Sequence, residues 1–299
     1  MNINRLSPVG LKLFNLFKEC RKVYSVRKLS SEINFVSYVK LNISLGMGLA
    51  FIWPMKKKSE TKVEDKVEKA PSIVETADEL FENGHYEECY RILLHSEEND
   101  NVEVQWRICR ALYNMSKEPK YDEALRKDYV SEAFELISEQ LERNWQHFAV
   151  QKWYALLLDA KSNYNGIKER IKQLENVKKH MDLAVTINPN DATTLYMLGE
   201  WCYQVADMPW HQRKIAEVLF ASPPRSTYED ALEYFLRAET VQPRFYSLNL
   251  LRLGSCYMKL EKEDQAKYYL ALAASYPAKS NDDHLANKEA AELLKKLKN

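Results

Sequence analysis

Basic side chains in the second half of the chain could hold an acidic partner through ion pairing. Six of them lie between residues 213 and 252, interleaved with carboxylates. Helical periodicity could gather several at one surface, in a groove or on an insertion, where attraction would be salt-sensitive and tolerant of sequence. Ordinary solvated charge is the alternative, and the same bases could instead clamp the terminal carboxylate of a peptide. With one tryptophan of this region, the candidate partner-binding residues are Trp210, Arg213, Lys214, Arg225, Arg237, Arg244 and Arg252.

Trp210 has two interpretations, because it lies between Pro209 and His211 in a stretch longer than its surroundings require. The indole could fold back over the domain or remain exposed as an anchor for a partner. Folding back is favoured, since exposing an indole to water is costly. By contrast, Trp153 and Trp201 fall at positions that helical spacing assigns to the core.

No set of residues has the spacing of a catalytic or metal site. Six histidines and five cysteines are dispersed, and the chain has none of the common phosphate-loop, zinc-protease or serine-hydrolase motifs. We expect no catalytic residues, no metal and no cofactor. The dispersed cysteines favour a reducing intracellular location. Lys and Arg balance Asp and Glu at 43 each, which predicts no nucleic-acid partner.

Helices must position the candidate residues, because small and bulky residues recur at helical spacing over residues 177–277. Such a pattern is typical of helix hairpins: a small residue lets the partner helix approach, and proline ends the second helix. We therefore expect an all-α, tetratricopeptide-like stack of five hairpins, with residues 284–298 as a C-terminal capping helix. The recurring sets are Val177, Met181, Ala184 and Pro189; Ala231, Phe235, Ala238 and Pro243; and Ala266, Leu270, Ala273 and Pro277.

Capping signals and an insertion divide the repeat region, which we place at residues 72–299. Ser72 and Glu75 have the spacing of a capping box at its start, and Ser226 and Glu229 repeat that spacing. The second box is expected to begin the helix that carries Ala231. That alanine follows Gly199 by 32 positions, where a regular repeat of this kind needs about 12. Insertions in such a stack lie on one face, often the binding face.

The preceding residues differ in composition from the repeats. Seven bases and one acid occur in the first 31 residues, which is typical of a mitochondrial transit peptide or of a disordered basic tail. Residues 33–53 are apolar except for Lys40 and a few small polar residues, which favours a membrane anchor over a buried helix. We take residues 1–54 as this presequence-like and anchor-like segment and residues 55–71 as a charged linker.

Three strings resemble the regulator of microtubule dynamics family: INPNDATTLYMLGEWCY, ADMPWHQRKIAEVLFASPPRSTYEDALEYFLRAE and QPRFYSLNLLRLGSCYMKL. The resemblance covers about residues 73–298, and the motifs MPW at 208–210 and ASPP at 221–224 are its most specific parts. It implies a non-enzymatic helical-repeat scaffold in the cytoplasm that associates with microtubules and spindle poles, with tubulin or another protein as partner. Some relatives carry an N-terminal membrane segment and sit on mitochondria. The alternative is therefore a mitochondrial or membrane-contact adaptor, held through residues 33–53, that recruits a peptide or lipid partner.

Overall fold

A computed structural model describes residues 71–297, which form twelve α-helices and no strand. The predicted presequence, membrane anchor and most of the charged linker lie outside the described residues. None of the helices between residues 71 and 297 is long and apolar enough to cross a membrane. The helices are α1 (Ile73–Glu82), α2 (Tyr86–Leu94), α3 (Val102–Lys117), α4 (Glu123–Arg143), α5 (Phe148–Tyr164), α6 (Ile167–Ile187), α7 (Ala192–Ala206), α8 (Trp210–Leu219), α9 (Tyr228–Val241), α10 (Ser247–Lys259), α11 (Glu263–Ala274) and α12 (Asn281–Lys296).

Helices that follow one another pack as pairs, and the pairs stack. The pairs are α1 with α2, α3 with α4, α5 with α6, α7 with α9, and α10 with α11. The predicted insertion between Gly199 and Ala231 contains α8. In sequence α8 falls between the two helices of the fourth pair, and in the structure it packs against α6. Helix α12 packs on α10 and α11 through the buried Ala286 and Ala290 and caps that end. The predicted hairpin stack is confirmed.

Small residues stand where two helices come closest. A Cβ atom added to Gly199 would lie 2.6 Å from ring carbons of Phe235, and one added to Gly254 would lie 2.5 Å from Cγ of Leu270. Both bulky partners are fully buried. The alanines that the repeat pattern assigned to helix contacts are also fully buried, and they include Ala184, Ala231 and Ala238. Trp153 and Trp201 are 8% exposed, which confirms their predicted place in the core.

Capping boxes fix the starts of three helices. Ser72 and Glu75 form the predicted box at α1. The box predicted at Ser226 is displaced by one residue, because the backbone N–H of Asp230 donates to the hydroxyl of Thr227 at 3.1 Å. Ser226 instead donates its hydroxyl proton to the Asp230 carboxylate. Helix α12 begins at Asn281, three residues before the predicted start, after Ser280 as its cap.

Candidate partner-binding surface

Ion pairs link neighbouring first helices at three points along the stack. Each ion pair links side chains that are far apart in sequence, and each brings a base of one helix to an acid on the neighbouring helix or at its N-cap. We call the first helices of the five pairs, together with the capping helix α12, the inner row. It comprises α1, α3, α5, α7, α10 and α12. The ion pairs are Arg107 with Asp78 (2.8 Å), Lys152 with Asp191 (2.9 Å), and Arg252 with Glu200 (2.6 Å).

The second and the last helices of the inner row, α3 and α12, approach each other. Nζ of Lys117, at the end of α3, lies 3.2 Å from Oδ2 of Asp282 in the first turn of α12, although 165 residues separate them. The hydroxyl of Tyr246 donates to the same carboxylate oxygen at 3.4 Å. Burial alone would lower the pKa of Lys117, but Tyr113, Asp282 and Tyr246 outweigh it and raise that pKa. The row therefore curves toward itself, which brings the start of α12 beside the end of α3.

Arg252 belongs to this inner row, and its role as a partner-binding residue stays a prediction. Its guanidinium donates two hydrogen bonds to the Glu200 carboxylate, at 2.6 and 3.0 Å. Burial would lower the pKa of Arg252, yet Glu200 outweighs it and raises that pKa. The Arg252 guanidinium also lies 5.0 Å from the centre of the Tyr203 ring. Because the Glu200 carboxylate accepts from Nε and from one Nη of the guanidinium, Arg252 joins α10 to α7.

Helix α8 exposes several side chains on the face opposite to its contact with α6. Ala216 is buried, whereas Trp210 is 76% exposed and Val218 is 85% exposed. The prediction that Trp210 folds back over the domain is therefore wrong. Trp210, Lys214 and Val218 are spaced by four residues, so they share one helix face, and that face is turned away from the buried Ala216.

The bases on α8 have weak or no carboxylate partners. Arg213 is exposed, and its guanidinium donates to the carbonyl oxygen of Met208 at 3.3 Å. Lys214 lies 3.7 Å from Glu217 of the same helix, with both side chains more than half exposed. Such a surface pair contributes little to stability, about 0.3–0.5 kcal/mol, so Lys214 remains available to a partner.

A shallow cavity of about 500 Å³, largely open to solvent, lies between α6 and the loop that follows α8. Its apolar part is formed by Leu183, Trp201 and Pro224. The indole N–H of Trp201 donates to the backbone carbonyl of Leu174 at 3.0 Å, so the ring has no donor left for a ligand. We call this the outer cavity. Its full lining is Glu175, Lys178, Lys179, Asp182, Leu183, Thr186, Trp201, Pro224 and Arg225.

The two other predicted bases lie on later parts of the stack. The Arg237 guanidinium lies 5.5 Å from the ring centre of Tyr234 on α9. Arg244 lines a second cavity of about 390 Å³ together with Lys279, beside α11 and the start of α12. Its backbone has φ of 58°, and its N–H donates to the Glu239 carboxylate at 2.9 Å. The seven predicted residues therefore do not form one cluster.

Lys178 and Lys179 were absent from the predicted site, although both line the outer cavity beside Arg225. Burial alone would lower the pKa of Lys178, but Asp182 outweighs it and raises that pKa; the two groups lie 2.7 Å apart. The sequence did contain a signal for these two lysines, because the spacing of residues 175, 178, 179, 182, 183 and 186 places them on one face of a helix. We call α8, the outer cavity and Arg237 the outer face.

The residues between 71 and 297 include no group of three or more histidine, cysteine or acidic side chains that could hold a metal. The four cysteines of this part of the chain are free and buried. Burial raises the pKa of Cys202 and raises that of Cys256 to about 12, so both stay protonated and poorly reactive near neutral pH.

A family model described as regulator of microtubule dynamics protein 1-3 matches residues 73–298. The chain belongs to this family. It is 43% identical over 236 residues to regulator of microtubule dynamics protein 1 of Pongo abelii, covering 79% of this chain and 75% of that protein. It is 32% identical over 225 residues to regulator of microtubule dynamics protein 3 of Rattus norvegicus, covering 74% and 48% respectively.

The fold of this family member is similar to that of a thermophilic TPR protein from Thermus thermophilus. The TM-score is 0.53 at 13% sequence identity, and the likeness covers 74% of this chain and 97% of the other. This likeness shows the tetratricopeptide-like architecture that the repeat pattern predicted. The family match includes the inner row and the whole outer face.

Proposed function

We propose that the protein is a non-enzymatic scaffold that associates with microtubules through its outer face. The carrying observation is that three bases of the outer face have no carboxylate partner among residues 71–297, whereas Arg252 of the inner row does. In the inner row, Arg107, Lys152 and Arg252 are paired with acids of neighbouring elements. On the outer face, Lys179, Arg213 and Arg225 make no ion pair with any residue between 71 and 297, so they can meet carboxylates of a partner.

The names of the relatives and the chemistry of microtubules support this proposal. The relatives are regulators of microtubule dynamics, and microtubules present acidic, disordered tails. Exposed bases attract such tails over distances set by salt, about 8 Å at physiological ionic strength. Trp210 and Val218 add exposed apolar area beside these bases. An aromatic side chain in such a position is a common anchor in protein interfaces.

Reversing three outer-face charges should weaken microtubule co-sedimentation. In Arg213→Glu/Lys214→Glu/Arg225→Glu, each partly exposed base contributes about 0.5–1 kcal/mol, so together we expect about tenfold or more loss in affinity. The matched control is Lys288→Glu/Lys295→Glu/Lys296→Glu, which makes the same change in net charge on exposed residues of α12. Circular dichroism checks that both variants are folded. Equal binding by the two variants would contradict the outer-face contact.

We also propose, as a second candidate, an adaptor tethered to an organelle by its N-terminal segment. The observation that favours it is the sequence of residues 1–54, which is basic and acid-poor at first and then apolar. An anchor or presequence of this kind would decide location, while the repeats recruit the partner. This candidate is compatible with an outer face that binds a protein.

Removing residues 1–54 is expected to change an organelle-associated protein into a freely cytosolic one. Imaging with organelle and tubulin markers measures the change in full-length and truncated forms. Alkaline carbonate extraction separates the two roles of the segment: an integral anchor stays with membranes, and a cleaved presequence leaves the protein soluble in the matrix. Both roles are excluded if the full-length protein is already cytosolic.

A further inference from the structure

We propose that the outer cavity binds one aromatic or large aliphatic side chain of an acidic peptide. The recognised segment would then be a run of carboxylates interrupted by such a residue. This inference rests on the proposed contact with microtubules and specifies what that contact recognises. It starts from the position of the cavity, which lies beside the bases of the outer face and is lined by three of them.

The apolar part of the cavity fits a side chain better than it fits a small polar group. Leu183, Trp201 and Pro224 come from three different parts of the chain and converge there. The indole N–H of Trp201 is already bonded to a backbone carbonyl, so the ring offers only apolar surface. A volume of about 500 Å³ lies within the usual range for ligand sites, about 300–1,000 Å³. It can hold a large side chain and part of its backbone.

The charges around the cavity select an acidic neighbour for that side chain. Asp182 is held by Lys178 at 2.7 and 3.0 Å, so these two charges largely cancel. Lys179 and Arg225 make no ion pair with residues 71–297, and Glu175 is exposed beside them. Two available bases and one available acid remain. Carboxylates of the peptide are therefore drawn toward Lys179 and Arg225 and repelled at Glu175.

A polypeptide explains this combination better than a phosphate group does. A phosphate would bind Lys179 and Arg225 but would leave the apolar surface of Leu183, Trp201 and Pro224 unused. A neutral apolar peptide would fill the cavity but gain nothing from the two bases. An acidic segment with one aromatic residue uses both features. Charge complementarity thus decides the occupant.

The test uses the full chain and three synthetic peptides, with affinity measured by fluorescence anisotropy. The first peptide is glutamate-rich with a central phenylalanine, the second replaces that phenylalanine with serine, and the third replaces the glutamates with glutamines. We expect the second and third to bind about tenfold more weakly than the first, because each lacks one of the two contributions. Inorganic phosphate serves as a competitor and should displace the first peptide poorly.

Variants of the protein give effects of opposite sign. Arg225→Gln should weaken binding of the first peptide about three- to tenfold, and Glu175→Gln should strengthen it about two- to fivefold. Lys288→Gln on α12 is the control and should leave affinity unchanged. Pro224→Glu, in a loop rather than a helix, places a charge in the apolar part. It should remove the difference between the phenylalanine and serine peptides.

Equal binding of the phenylalanine and serine peptides would overturn the cavity inference, as would weaker binding by Glu175→Gln. Failure of all three peptides to bind would overturn it as well. These outcomes are separate from the test of the proposed function. If the outer-face triple reversal still abolishes co-sedimentation, the contact with microtubules stands although the cavity does not recognise a peptide of this kind. If the triple reversal has no effect on co-sedimentation, the proposed contact between the outer face and microtubules is itself overturned.

Discussion

Replacing Phe235 by alanine is expected to lower the free energy of unfolding by about 3–5 kcal/mol. Phe235 is fully buried in α9 and lies against Gly199 of α7 and the ring of Tyr196, whose centre is 5.8 Å away. The two helices cannot close the space without losing their other contacts. Urea unfolding followed by circular dichroism measures the change. The control is Tyr268→Ala on α11, where the side chain is 55% exposed and about 0.5 kcal/mol or less is expected.

Gly199 and Phe235 should also be energetically coupled. Gly199→Ala alone puts a carbon 2.6 Å from the Phe235 ring, so the helices must separate, and we expect destabilisation. In the Phe235→Ala background that space is free, and alanine is a better helix former than glycine by about 1 kcal/mol. The same substitution should then be neutral or stabilising. Additive costs in the double variant would contradict a direct contact between these two residues.

Contacts of this kind could be predicted from the sequence because they repeat at fixed helical spacing. The positions of Ala231, Phe235 and Ala238 along one helix decide which face is buried, whatever lies elsewhere in the chain. The core positions of Trp153 and Trp201 follow in the same way. The start of α9 did not, since Ser226 and Thr227 both precede an acidic residue by three positions. The choice between Ser226 and Thr227 as the N-cap depends on the backbone conformation of the preceding loop.

The candidate partner-binding surface was less predictable, because the availability of a base depends on which helices become neighbours. Arg225 and Arg252 look alike in sequence, yet Arg252 meets Glu200 from 52 residues away, whereas Arg225 meets no acid of the described residues. Lys179 belongs to the third pair and reaches the cavity only because the loop after α8 crosses α6. Trp210 was expected to be covered, and α8 covers α6 with Ala216 instead.

This difference between two arginines gives the second large effect. Arg252→Ala is expected to lower the free energy of unfolding by about 2–3 kcal/mol, because it leaves the Glu200 carboxylate without its counterion beside Tyr196. The side chains of Arg252 and Glu200 are 24% and 19% exposed, so some solvation remains and the cost stays below that of a fully buried pair. Arg225→Ala, at an exposed position, should change stability by about 0.5 kcal/mol or less. Urea unfolding measures both.

The double variant Arg252→Met/Glu200→Leu separates the cost of an unpaired charge from the value of the pair itself. Since it removes both charges and keeps apolar volume, it should recover most of the stability lost in Arg252→Ala. Microtubule co-sedimentation tests binding in the same variants: Arg225→Ala should weaken binding to microtubules, and Arg252→Met/Glu200→Leu should not. If the double variant binds poorly while remaining stable, the inner row contacts the partner. That result would contradict the outer face as the binding surface, because the inner bases were excluded from that surface only on the ground that they are paired.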